Sequence, residues 1–222
     1  MVVKKALRSF DDIADAYRAA CEKAFAWHSS VVSPGILCKA GCDACCHGLF
    51  DVTILDILTL RQGYSALPQQ IRVDVRARAE SIKHEMSAQF SAASFAQIEE
   101  KDEDRFYEHF KSVPCPFLFR GQCVVYESRT YICRMTGIPF FDGESWDDSP
   151  ICDMNFRSND FRTETDAQKK YAYNETKYFS TEESLLEQVK RLSQGDAKES
   201  VYAYFVIPDF IDFCAKEDEA DE

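Results

Sequence analysis

Four cysteines fall within nine residues: Cys38, Cys42, Cys45 and Cys46, in the run Cys38-x3-Cys42-x2-Cys45-Cys46-His47. Four more follow at Cys115, Cys123, Cys133 and Cys152. Thiolates bind soft metals and carry redox chemistry, so a dense polar-flanked cluster has a chemical rationale where packing offers little. A C-x3-C-x2-C loop can wrap a cubane and offer a thiolate to each of three irons, with a distal cysteine as the fourth ligand. Cys115-Pro116 fits that distal role, because proline follows some cluster ligands in ferredoxins.

Zinc is the competing metal. Its structural sites take four Cys or His ligands in a tetrahedron, often from C-x2-C hooks such as Cys42-x2-Cys45. Adjacent Cys45 and Cys46 fit poorly on one small ion, so Cys46 could face a second site with Cys123, Cys133 and Cys152. His47 reads as a supporting neighbour more than a ligand. A third option leaves some of these cysteines supporting the site or carrying reactive thiols. A radical S-adenosylmethionine enzyme uses the same triplet, but the chain lacks regular strand–helix alternation and a downstream Gly-Gly-Glu stretch. Cys21 and Cys214 lie in apolar stretches and read as small buried hydrophobes.

The ordered set Cys38-x3-Cys42-x2-Cys45-Cys46, Cys115-Pro116-Phe117-Leu118 and Cys123-x2-Tyr126-Glu127-x-Arg129-x3-Cys133-Arg134 resembles the YkgJ-type cysteine-cluster family. The resemblance covers roughly residues 38–152 and implies a zinc- or iron-chelating domain. One departure is Thr130, where the family carries proline after the arginine. The family also includes flagellin lysine methylases, which resemble longer chains. Two functional expectations follow. The first is a protein holding an iron–sulfur cluster of the 4Fe–4S kind, favoured over Zn, in a redox or cofactor-bearing role. The alternative is a zinc-structured protein-interaction module; a lysine methylase-like enzyme is a second alternative. The metal ligands expected are Cys38, Cys42, Cys45, Cys46, Cys115, Cys123, Cys133 and Cys152.

Other residues carry weaker signals. Arg129 and Arg134 flank Cys133 and could offset thiolate charge or pair with Glu127. Tyr126 reads as core. The carboxylate pairs Glu99-Glu100 and Asp147-Asp148 sit in solvated stretches. No Gly-rich phosphate loop and no Ser-His-Asp signature is present.

The elements that must position the cysteines are mostly helical. Residues 9–31 read as a helix capped by Ser9, with Phe10, Ile13, Tyr17, Cys21, Ala24 and His28 on one face. Thr53 and Asp56 form a capping-box signal for a helix that Gly63 can end. Residues 69–90 predict a long helix with Ile71, Val75, Ala79, Ile82 and Met86 inward. A break follows over 91–100, then a short charged helix over 102–111. Cys115–Phe119 and Cys123–Tyr126 predict short strands about an Arg120-Gly121-Gln122 turn, and Tyr131–Cys133 a further strand. Residues 137–150 read as loop, with Trp146 in an acidic turn. From 163 the chain predicts helix through Tyr178 and again over 181–192. Residues 201–213 are strongly aromatic, readable as core or as a partner surface.

The fold class expected is therefore mainly α with a small β-hairpin region, an irregular cysteine-rich metal-binding core wrapped by helices. One domain, 1–222, holds that core at 38–152, an N-terminal helix at 9–31 and a C-terminal helical extension at 163–213. With 222 residues the chain can bury a sizeable core without disulfides. A net charge of -12 argues against nucleic acid as a partner and leaves a protein partner open. No apolar run spans a bilayer and no leader follows Met1, which predicts a cytoplasmic protein without a membrane partner. A reducing compartment also argues against a disulfide-stapled secreted domain.

Overall fold

The computed structural model describes residues 9–32, 39–137, 152, 165–193 and 203–214. These residues are mainly helical, with two small antiparallel β pairs. Helix α1 spans Phe10–Val32. Ser9 caps it, its Oγ accepting from the Asp12 amide at 3.1 Å. Asp11 and Asp12 place negative charge at the positive end of the helix dipole. Ile13, Ala14, Tyr17 and Cys21 turn one face inward, as the spacing predicts.

Strand β1 (Asp51–Val52) leads into α2 (Ile54–Ser65). Thr53 and Asp56 form the expected capping box. Helix α2 buries Ile54, Leu55, Ile57, Leu58, Leu60 and Tyr64, so apolar residues occupy more than one face. That is the signature of a central helix. It packs against α1 and against the C-terminal 207–213 turns. Gly63 does not end α2. It lies inside the helix, where a Cβ would come within 2.6 Å of Ser128 Cβ. Glycine here leaves room for the Ser128 and Val125 side chains packed against the helix.

Helix α3 spans Gln69–Phe90 and buries Val75, Ala79, Ile82 and Met86. It stops at Ser91, whose left-handed conformation (φ 56) closes the last turn with a 3.0 Å bond to Ser87 O. Two short 3-10 turns lead to α4 (Glu103–Phe110). Phe106 and Phe110 of α4 join Leu49, Ile82, Met86, Phe95 and Val206 in a second apolar cluster. Fully burying such a side chain stabilises by about 1.5–3 kcal/mol.

Strands β2 (Leu118–Phe119) and β3 (Gln122–Cys123) form a hairpin, Leu118 opposite Cys123. Its turn residues Arg120 and Gly121 both have positive φ (51 and 75), as a tight two-residue hairpin requires. Helix α5 (Tyr131–Met135) occupies the segment expected as a strand. Thr130 decides this: its Oγ1 accepts from the Cys133 amide at 3.1 Å and opens a helix. The segment is too short for periodicity to distinguish the two states.

Helix α6 (Thr165–Leu192) is continuous across the expected break near residue 180. The Ser180 and Thr181 hydroxyls both bond back to Lys177 O at 3.0 Å, so they stay within the helix. Strand β4 (Phe205–Val206) pairs antiparallel with β1, and a 3-10 helix follows over Ile207–Phe213. The aromatic C-terminal stretch is thus strand, then helix. Phe205 and Phe210 are buried in the core and Tyr204 is exposed. Asp209 locks this segment: it accepts from the Phe95 and Val206 amides at 3.1 and 3.0 Å and pairs with Lys83 at 2.8 Å.

The expected metal-binding core is the part of the fold class that the structure overturns. Helices surround an apolar core, and among the described residues no cysteine-rich metal centre occurs. The loop expected over 137–150, with Trp146, lies outside the described residues save Gly137.

Candidate functional site

The described cysteines of the site come from a turn-rich loop, the strand-like segment at 113–115, the β hairpin and α5. Two successive turns shape the loop. The Cys42 amide donates to Lys39 O at 3.0 Å, and the Cys46 amide to Asp43 O at 2.9 Å. His47 then forms an antiparallel bridge with Pro114. Gly48 (φ 99) follows, and a Cβ there would lie 3.1 Å from Lys111 O. The Gly48 amide donates to Val113 O at 2.8 Å and the Cys115 amide to Cys46 O at 2.9 Å.

Thiols from these segments come into electrostatic reach of one another. The Cys45 thiol is held protonated, first by its hydrogen bond with the Cys46 thiol and then by burial. Burial pushes the Cys115 thiol up, and the neighbouring Cys133, Cys123 and Cys45 add to the shift. Burial pushes Cys133 up to about 12, against the Thr130 hydrogen bond that lowers it. Cys123 also rises through burial, with the Arg129 charge opposing. Cys42, Cys45, Cys46, Cys115, Cys123, Cys133 and Cys152 are all half-buried, and none is in a disulfide. Cys152 reaches the end of α5, its amide donating to Gly137 O at 3.2 Å.

Arginines flank this group in different ways. Arg129 stacks its guanidinium 3.6 Å from the Tyr126 ring centroid, and Nε donates to Tyr126 O at 3.1 Å. Its charge favours the thiolate forms of Cys45 and Cys123. Arg134 is buried and braces the backbone. Its Nε donates to Arg129 O at 3.3 Å and its Nη2 to Glu127 O at 3.0 Å.

A buried polar network fixes α5 to the helices beneath it, and the sequence reading missed it. Asp56 Oδ1 accepts from Tyr17 Oη and from the Tyr131 amide, both at 3.0 Å. Asp56 Oδ2 accepts from the Thr53 amide at 3.0 Å and from Thr53 Oγ1 at 3.1 Å. With its proton on Asp56, the Tyr17 oxygen accepts from Tyr178 Oη at 2.9 Å. Tyr178 in turn stacks on Tyr131, centroids 3.7 Å apart. One carboxylate therefore caps α2 and positions the start of α5, two residues from Cys133. Burial raises the Asp56 pKa, and its hydrogen bonds oppose that rise. The capping box made Asp56 visible in the sequence, but only as a local cap.

The expected iron–sulfur or zinc centre is corrected. Among the described residues no group of three or more His, Cys, Asp or Glu side chains is placed to hold a metal ion. A zinc site needs four donors at about 2.0–2.3 Å from one point. Here Cys42 and Cys46 close separate turns, Cys123 lies on a strand and Cys133 on a helix, so sequence spacing does not become a ligand shell. Cys38 lies outside the described residues. Cys21 and Cys214 are buried in the apolar core, as expected.

Among the described residues no helix is long and apolar enough to cross a membrane. Comparison with known proteins finds no matching family model, no matching curated protein and no matching solved structure. The YkgJ-type resemblance, and with it the zinc-structured module and the lysine methylase-like alternative, is therefore without support.

Proposed function

We propose that the described cysteines form a thiol–disulfide site whose oxidation locks the loop around residues 39–48 onto the 113–115 segment. The single observation that carries this reading is convergence. The Cys45 thiol is raised by the neighbouring Cys46 thiol, and it lies within electrostatic reach of Cys115, Cys123 and Cys133 from distant parts of the chain. Burial favours the protonated thiols of Cys45, Cys115, Cys123 and Cys133, and the thiolate is the attacking species in exchange. The site therefore suits a slow, stable redox latch better than a fast disulfide catalyst. A reducing cytoplasm would hold it open, and the chain would act as a single domain whose acidic surface meets a protein rather than nucleic acid.

The test is a thiol count on the full chain before and after treatment with oxidised glutathione at pH 8. The latch predicts a loss of thiols in pairs, fully restored by dithiothreitol. Retention of all 10 thiols after that treatment would overturn the reading.

A further inference from the structure

Arg129 is a buried charge that the fold does not neutralise. It lies between β3, which carries Cys123, and α5, which carries Cys133. Only 9% of it is exposed, yet among the described residues no carboxylate pairs with it. Burying a charge without an opposite partner is costly. Arg134 shows the contrast. It is 5% exposed, the Arg129 and Glu127 carbonyls accept from it, and Glu22 lies 3.8 Å away. The two cations are close: after burial, the Arg129 charge holds the Arg134 pKa below its ordinary value.

Arg129 commits only its Nε, to Tyr126 O at 3.1 Å, and its guanidinium stacks 3.6 Å from the Tyr126 ring centroid. The Nη groups donate to no described protein atom and are not sealed from solvent. The stack and the Nε bond fix the guanidinium plane. The remaining fork is an unused pair of donors whose geometry matches a carboxylate. Its charge reaches the Cys45 and Cys123 thiols. The chain as a whole carries a net charge of -12, which repels anions. A fixed cation at the thiols gives an anionic reagent a local place to bind.

We infer that Arg129 binds a carboxylate of the low-molecular-weight disulfide, of the oxidised-glutathione kind, that oxidises the thiol site; this rests on the thiol-site reading above. With the carboxylate on Arg129, a site thiol, Cys45 or Cys123, gives up its proton and its sulfur attacks a sulfur of the reagent. A mixed disulfide forms, the reagent's own S–S bond breaks, and one glutathione leaves carrying that proton. A second protein thiol then attacks the protein sulfur of the mixed disulfide. The protein disulfide forms, and a second glutathione leaves with the second proton. Two protein thiols lose two electrons, and one oxidised glutathione becomes two reduced ones. Arg129 holds the reagent and takes no part in the bond changes.

The experiment compares oxidised glutathione with its carboxyl ethyl ester, following thiol loss from the reduced full chain by alkylation and intact mass. Each rate is referred to that of free cysteine with the same reagent. Repulsion by the acidic chain alone makes the ester the faster reagent. Recognition by Arg129 makes it slower, by about tenfold, the lower end of what a charge-assisted hydrogen bond contributes. Arg129→Gln should slow oxidised glutathione and leave the ester as the faster reagent; Arg129→Lys, which keeps the charge without the fork, should fall between. An ester as fast as oxidised glutathione on the parent would overturn the assignment, and that comparison decides alone if the variants do not fold. Equal slowing of both reagents by Arg129→Gln would reduce Arg129 to a charge that favours thiolate, and would also overturn it. In either case the thiol-site reading stands. No thiol loss with either reagent would overturn both.

Discussion

Replacing Asp56 by asparagine tests the network that holds α5 in place. The aspartate is 3% exposed and accepts four donors on two oxygens. Asparagine keeps one acceptor oxygen and turns the other position into an NH2 donor. The Tyr17 and Thr53 hydroxyls can rotate to accept from it. The Thr53 and Tyr131 amides cannot, so either orientation of the new side chain leaves one backbone N–H unsatisfied. That costs about 1–3 kcal/mol, and replacing charge-assisted bonds by neutral ones costs roughly 1 kcal/mol more. Relief of a buried charge returns part of this. A net loss of about 1–3 kcal/mol is expected. For a chain of this size it lowers the melting temperature by roughly 2–12 °C. Differential scanning calorimetry of the reduced protein at pH 7 measures it. A melting temperature within about 1 °C of the parent would refute the network as a stabilising feature.

Three further substitutions probe neighbouring features. Burial, followed by the Asp56 charge, pushes the Glu182 carboxyl up to about 7. Its ionised form is therefore disfavoured in the fold: the cost is absent below about pH 4.5, complete above about pH 7, and no larger than about 3 kcal/mol. Glu182→Gln should flatten the fall in stability between those pH values in urea titrations; parallel pH profiles for variant and parent would contradict this. Thr130→Ala removes the cap of α5 and should cost about 1 kcal/mol by chemical denaturation, and no loss would mean that α5 does not depend on its cap. Gly63→Ala brings a Cβ to within 2.6 Å of Ser128 Cβ and should destabilise by about 1–3 kcal/mol. Adding Ser128→Gly should recover most of it, and equal stability of the single variant and parent would refute the close approach.

Local signals were legible where one element settles its own structure. Ser9 and Thr53–Asp56 announced helix starts, and the spacing of Val75, Ala79, Ile82 and Met86 announced the buried face of α3. The Arg120-Gly121 turn was readable because its backbone needs come from neighbouring residues. Features set by distant partners were not readable. Gly63 looked like a helix end because its reason, Ser128, lies far along the chain. The pairing of β1 with β4 joins strands of two residues each, too short to show alternation. Tyr131–Cys133 looked like a strand because the Thr130 cap was passed over as a departure from a family pattern. The cysteine spacing did not fix donor geometry, and the ligand set expected from it is absent among the described residues.

The central claim, a reversible thiol–disulfide latch, is tested most directly by a redox titration of the full chain. Samples equilibrated across glutathione buffers would be alkylated and their thiols counted by intact mass. The latch predicts a two-electron transition that removes thiols in a pair and retraces on reduction. A thiol count unchanged from the most reducing to the most oxidising buffer would contradict it.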